Sequence, residues 1–489
     1  MESCEHVKVG NSITLKAFDG TPSSAGALPL PVGNRTLLYG QVVALGGDFY
    51  GVGAQAAGPG RPALAALDPI SSAQFPEQAF SAAYLTLANA PSAELDAILK
   101  VMDEEQQAID AAVAAGRQPS AAYRKLGDSL SYKWNEITGG GPASGGVLSV
   151  LTHPGRYINL ATVNMDHFGA DAVTAYLAGH GLAVKQAAQL QGQDPNSRAV
   201  QMKLLQCYGF NAFADHFLTD LFAGGHVRTP RRALWVTPQT IAGETGLLAR
   251  AAHNEENEDG LHVQNARGDQ WIAYGDGKEL DDVNRPNFAK AIAAVQASAD
   301  EVYQAFVTGV GTAPSPPSAL QYIPTLDFTA RPTPGGPNHA PLFWADGQNN
   351  VYRRGGASGL WPDKNNYDYV FPFSDAEMVA QVKNFITGGT TTTSVACYVI
   401  NGSSITWQWG LNDDNSYYAL NGYWITTPHT GLTKFVTDTS VDELLTAANQ
   451  AIFYNKLTGY TVFAMFAADK SAGYNYPIIV GSSELYPTY

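Results

Sequence analysis

Apolar residues in AVQMKLLQCYGFNAFADHFLTDLF recur at helical spacing with no proline, which predicts a helix from about Arg198 into the segment Asn211–Arg231. Gly224 and Gly225 are expected to end it, as glycines after a last turn do. Upstream, PSAELDAILKVMDEEQQAIDAAVAAG predicts a helix with Ser92 as N-cap and Gly116 as its stop. Its Asp103, Glu104 and Glu105 read as a solvated face. In RYINLATVNMDHFGADAVTAYLAGHGLAVKQAAQL a second helix can begin at Asp171. Thr237 or Thr240 can open a third, TPQTIAGETGLLARAAHNEEN, with Glu258 and Asp259 in the loop after it. RPNFAKAIAAVQASADEVYQAFVTG predicts a last long helix with Pro286 in its first turn. Between these two, NARGDQWIAYGDGKELDD reads as a hairpin or turn region, and residues 1–35 as loops and short strands.

Past Val310 the pattern changes. Thr312 to Phe343 is proline-rich and reads as an extended connector. One helix is expected from Ser374, and then alternating or apolar runs such as SVACYVI, SITWQWGL, YTVFAMFAA and YPIIVG predict strands. The expected organisation is a mainly α-helical catalytic domain over 1–311, a connector over 312–373 and a β or α+β C-terminal domain over 374–489.

Composition narrows the function classes. The 489 residues are 45% hydrophobic and 15% charged, which suits a globular chain with a large core. A formal net charge of −15 argues against a duplex-nucleic-acid partner, which requires a basic surface. Cys4, Cys207 and Cys397 are too few and too far apart for a disulfide framework or a Cys-x-x-Cys site. The N-terminal stretch lacks the apolar core of a secretory signal, so the expectation is a cytoplasmic protein or export by another route. TGGGPASGG at 138–146 lacks the Lys-Ser/Thr of a phosphate-binding loop.

Candidate chemistry lies in the histidines, seven of which fall between His153 and His262. His216 and Asp220 are four apart and project from one helix face, with His226 just beyond the helix end. Two imidazoles and a carboxylate converging there make a site for zinc. His167, in Asp166-His167-Phe168, is read as a further ligand, and His180 as a core histidine. His253 and Glu256 share a helix face three apart. Asp48 is flanked by Gly46, Gly47 and aromatics, where it serves as ligand, base or turn residue.

These residues resemble the zinc-dependent phospholipase C superfamily, which also contains single-strand-specific zinc nucleases. The likeness is closest to bacterial phosphatidylcholine-hydrolysing zinc phospholipases C. It covers about residues 35–310 through the blocks GDFYG, DHFG, FADHFLTDLFAGGHVRTPR and AYGDG. The resemblance implies an all-α fold with two or three zinc ions, and phosphodiester hydrolysis at a phospholipid membrane or micelle. It implies that Asp48, His167, His216 and Asp220 hold one zinc, that Asp220 bridges to a second, and that His226, His253 and Glu256 hold the remaining one. It also leaves Asp48 as ligand or as catalytic base. The chain departs from the pattern twice. The family carboxylate stands four residues after the last histidine, where this chain has Asn257 and Glu256 is the substitute. The N-terminal tryptophan whose amino group helps to complete one site is absent, and His6 or Asp166 are the candidates to replace it. Arg228, Arg231 and Arg232 follow His226 closely enough to reach a phosphate. A nuclease of the same superfamily, or a metal-free protein that binds membrane or glycan, is the alternative.

Overall fold

The computed structural model describes residues 1–51 and 69–330, apart from 147–148, 151–152, 195, 233–243 and 328, and beyond 330 only Pro337 and short strands. Thr237, Thr240, the helix expected from Ser374, and Trp407 and Trp409 lie outside the described residues.

Up to residue 330 the chain is mainly helical, in this order: α1 Ser3–Asn11, α2 Tyr39–Leu45, α3 Pro76–Ala88, α4 Ser92–Ala114, α5 Ser120–Leu126, α6 Ser129–Ile137, α7 Arg156–Thr162, α8 Gly169–Ala188, α9 Arg198–Asp220, α10 Gly224–Arg228, α11 Glu244–Asp259 and α12 Arg285–Thr308. Two small antiparallel hairpins, β1 Thr14–Lys16 with β2 Pro22–Ser24 and β3 Leu30–Val32 with β4 Arg35–Leu37, separate α1 from α2. β5 Leu261–Gln264 and β6 Gln270–Ala273 form a hairpin after α11, and β7 Thr325–Leu326 pairs with β5 as a third strand.

Helix α9 runs through the centre. It packs on α8, α12 and α2, and from Asn211 to Asp220 every residue is buried. An amphipathic stripe cannot account for that, and α9 is correspondingly apolar on most sides around Phe213, Phe217 and Leu218. Several of its buried polar groups are satisfied inside the core. The Asp215 carboxylate accepts hydrogen bonds from Tyr39 Oη (2.6 Å) and Ser298 Oγ (2.7 Å). His180, the core histidine expected on α8, is fully buried between Asn211 (2.8 Å) and Glu301 (2.8 Å).

Three local readings change. The first 35 residues open with a helix, α1, where loops and strands are expected. Helix α4 starts at Ser92 with Pro91 in the cap position, so Ser92 is not the cap. Glu105 is not on a solvated face: it is fully buried and accepts hydrogen bonds from Ser3 Oγ, the Cys4 amide (3.0 Å) and Tyr123 Oη (2.8 Å). Asp103 is exposed, and Glu104 is half-buried and pairs with Lys133.

The segment read as a connector begins as part of the helical unit. The Ser318 amide donates to Glu301 (2.7 Å), β7 joins β5, and the Asp327 amide donates to the His262 carbonyl (2.9 Å). Farther on, the strands Phe343–Ala345, Val351–Arg354 and Tyr367–Phe371 make one antiparallel sheet, and Val395–Cys397, Ala464–Phe466 and Tyr476–Ile478 another. Gly422–Thr426 pairs with Thr433–Thr437. Among the described residues no helix is long and apolar enough to cross a membrane.

Candidate metal centre

Among the described residues, three groups of potential ligands lie side by side: Asp48 with His167 and His216; His6 with His216 and Asp220; and His226 with His253 and Asp276. Within each, the ligand atoms lie within 4.8 Å of one another. Six of the seven predicted ligands, Asp48, His167, His216, Asp220, His226 and His253, are therefore neighbours. His6 and Asp276 join them.

The elements deliver these groups for local reasons. His216 and Asp220 stand one turn apart on α9, and His216 Nε2 is 3.3 Å from Asp220 Oδ2. His226 belongs to α10, a new short helix that begins at Gly224 rather than a loop after glycines. The Phe168 ring stacks on His226 with centroids 4.5 Å apart. His253 sits on α11, which continues through Glu258 to Asp259. Asp48 and Asp276 come from glycine-flanked turns. Gly47 has φ of +69°, and a Cβ there would stand 2.4 Å from His216 Cδ2, so glycine alone lets the Asp48 turn lie on that ring.

Hydrogen bonds fix which imidazole nitrogen faces inward. His216 Nδ1 donates to the Val43 carbonyl (2.9 Å) and His226 Nδ1 to the His167 carbonyl (2.8 Å). His253 Nδ1 donates to Asn254 Oδ1 (2.8 Å). Thr219 Oγ1 spends its proton on the Asp215 and His216 carbonyls, so it accepts from His6 Nδ1 (2.9 Å). In all four rings this turns Nε2 toward the cluster, where His216 Nε2 also lies 3.2 Å from His167 Nδ1 and His253 Nε2 3.1 Å from Asn257 Nδ2. His6 Nε2 and Asp220 Oδ2 are buried without a hydrogen bond, although Asp220 has charged neighbours. Such donors fit a metal ion, and imidazole with carboxylate is a zinc ligand set.

The carboxylates span the groups. Asp220 Oδ2 lies 2.6 Å from His167 Nδ1, while Oδ1 lies 2.7 Å from the Met1 nitrogen and 3.4 Å from His6 Nε2. Burial opposes charge on Asp220, but the Met1 ammonium and the surrounding histidines hold its carboxyl well below the usual range. Asp48 is the most open member, with 31% of its side chain accessible. Enclosure nevertheless pushes its carboxyl up to about 7 against the pull of His167. Burial, reinforced by the Met1 ammonium, lowers His6 to about 4. A neutral His6 is the form that can ligate.

Other predicted residues lie elsewhere. Glu256 is not in any of the three groups; its carboxylate is buried and pairs with Arg228 at 2.5 Å. Asn257 accepts from the Gly225 amide (2.6 Å) and places Nδ2 3.1 Å from His253 Nε2. Asp166 accepts from the Ile70 (2.6 Å) and Ser71 (3.0 Å) amides and so holds a loop. Arg231 binds Asn164 Oδ1 and the Thr162 carbonyl, and Arg232 forks onto Asp171 at 2.8 Å. A recess beside His167 is lined by Gly47, Ile70, Leu160, Val163 and Phe217.

Residues 365–480 match the family model of the Vibrio dual lipase/transferase, N-terminal domain. The match covers most of the segment expected as the C-terminal domain and does not reach the helical unit. No curated protein and no solved structure matches the chain.

Proposed function

We propose that this protein is a zinc-dependent phosphodiester hydrolase of the phospholipase C type, cleaving phosphatidylcholine-like lipids to diacylglycerol and a phosphorylated headgroup. The observation that carries the reading is the set of inward Nε2 atoms on His6, His216, His226 and His253 around buried aspartates. Asp48, His167 and His216 would hold one zinc, His6 and Asp220 a second, and His226 and His253 a third. Zinc bound there would supply Lewis-acid neutralisation of phosphate charge and draw the pKa of water toward ~7. Asp48, the most open carboxylate of the group, would take the proton of the attacking water or serve only as a ligand. Asp220 holds the groups on either side of it in register.

Lipid is favoured over polynucleotide by two observations. The net charge of −15 opposes phosphate-rich polymers, and the family matched at 365–480 is named for a lipase/transferase. The testing experiment measures zinc in the purified protein and assays diacyl phosphatidylcholine, p-nitrophenylphosphorylcholine and single-stranded DNA. Release of phosphorylcholine from the first two is expected. Faster cleavage of DNA would make the protein a nuclease. A chain that holds no zinc after zinc-replete expression and hydrolyses none of the three would be a binding scaffold.

A further inference from the structure

The third group lacks the carboxylate that Asn257 would provide if it were acidic, and a turn on another element brings one to the same place. In Gly275-Asp276-Gly277, Asp276 Oδ2 lies 2.9 Å from His253 Nε2 and 3.6 Å from His226 Nε2. Its other oxygen, Oδ1, lies 2.9 Å from the Met1 nitrogen, which also contacts Asp220 Oδ1. Asp276 thus stands between the second and third groups as Asp220 stands between the first and second. Burial works against charge on Asp276, yet the Met1 ammonium, His253 and His226 keep it ionised.

The turn is built for this placement. Asn257 is its platform. The Gly275 amide donates to the Asn257 carbonyl (3.2 Å), and a Cβ on Gly275 would overlap Asn257 Oδ1 at 1.6 Å. A carboxylate at position 257 is therefore replaced by an amide against which the glycine turn packs. From the other side Glu5, next to His6 on α1, accepts from the Gly277 (3.1 Å) and Glu279 (2.8 Å) amides. The turn is tied at once to the helix that carries His253 and to the helix that carries His6.

From this geometry we infer that Asp276 is a second bridging metal ligand, which takes over the third site's carboxylate and shares it with the middle site. The inference rests on the zinc reading above. Asp276 then couples two sites, so its loss empties both, whereas a terminal ligand would empty one.

The experiment counts zinc on the full chain by mass spectrometry after dialysis, with circular dichroism to check folding. The unaltered protein is expected to bind about three equivalents and Asp276→Asn about one. Asp276→Asn combined with Asn257→Asp is expected to bind about two, since a carboxylate at position 257 would serve His253 but not the middle site. Full zinc in Asp276→Asn, or a loss of only one, overturns the bridge. Should the single variant not fold, the charge-preserving double variant decides alone: a full count overturns the inference, and a deficit of one supports it. Absence of zinc from the unaltered protein would instead sink the zinc reading itself, and the bridge with it.

Discussion

Glu256 and Asp220 are both buried acids beside histidines, yet their neighbours assign them different work. Asp220 has two histidine groups on its two oxygens, whereas Glu256 faces Arg228. His216→Ala or Asp220→Ala should therefore remove zinc and hydrolysis together, because each deletes a donor at the shared centre. Glu256→Gln should keep the zinc and lower stability, because it removes the charge from the buried Glu256–Arg228 ion pair. Zinc content and the urea midpoint, measured on the same preparations, separate the two effects; a zinc-free but stable Glu256→Gln would reverse the assignment. Glu105 carries a further prediction. Burial raises its carboxyl above the ordinary 4.5, so the folded chain keeps a proton there that the unfolded chain has released. Between those two values the native state binds more protons, and stability falls as pH rises. Glu105→Gln should flatten that fall in urea titrations run in EDTA across the acid-to-neutral range, and an unchanged slope would place its origin elsewhere. What the sequence discloses follows the same division. His216, Asp220 and His226 stand out because helix spacing converts directly into proximity. Asp276 does not, because its partners are remote in sequence. Its one local cue is the cue that marks Asp48, an aspartate directly after a glycine with an aromatic close by.

Helices with an apolar period are readable, and helices held by polar contacts are not. The start at Arg198 and the Pro286 opening of α12 agree with expectation, the first because the apolar period sets it and the second because proline suits a first turn. MESCEHVKVGNS carries little apolar pattern, and α1 buries Glu5 and His6 instead. Their burial depends on the Gly277 and Glu279 amides, Thr219 and Asp220, none of which is visible from the local string. The turns matter as much as the helices. At Gly47 an alanine would meet both the left-handed backbone penalty of about 1–2 kcal/mol and the His216 ring. Gly47→Ala should therefore lower zinc affinity as well as thermal stability. If the melting temperature drops while zinc affinity stays at its original value, the Asp48 turn does not position His216.

The division of the whole chain bears on the last prediction. Composition places a boundary at 311, but the contacts run on to about 330. Ser318 caps Glu301, which in turn holds His180 in the core, and β7 completes the sheet that follows α11. A chain cut at Gly311 would leave Glu301 with one partner fewer and expose the β5 edge, whereas a chain of residues 1–330 keeps both. The predicted ligands and Asp276 all precede that point. Residues 1–330 should thus fold, bind as much zinc as the full chain and hydrolyse p-nitrophenylphosphorylcholine at a similar rate, while residues 1–311 should be less stable by a few degrees. The remainder includes the span matched to a lipase/transferase domain and is rich in Tyr and Trp, residues that partition to lipid interfaces. It has few lysines and no arginine after Arg354, so attraction to anionic lipid should contribute little. Residues 1–330 should be slower than the full chain on phosphatidylcholine vesicles, because the tethered segment raises local concentration at the surface, and the deficit should be insensitive to salt. Equal rates on vesicles would remove the interfacial role. Equal loss on soluble and vesicle substrates would instead mean that the segment completes the fold of the helical unit.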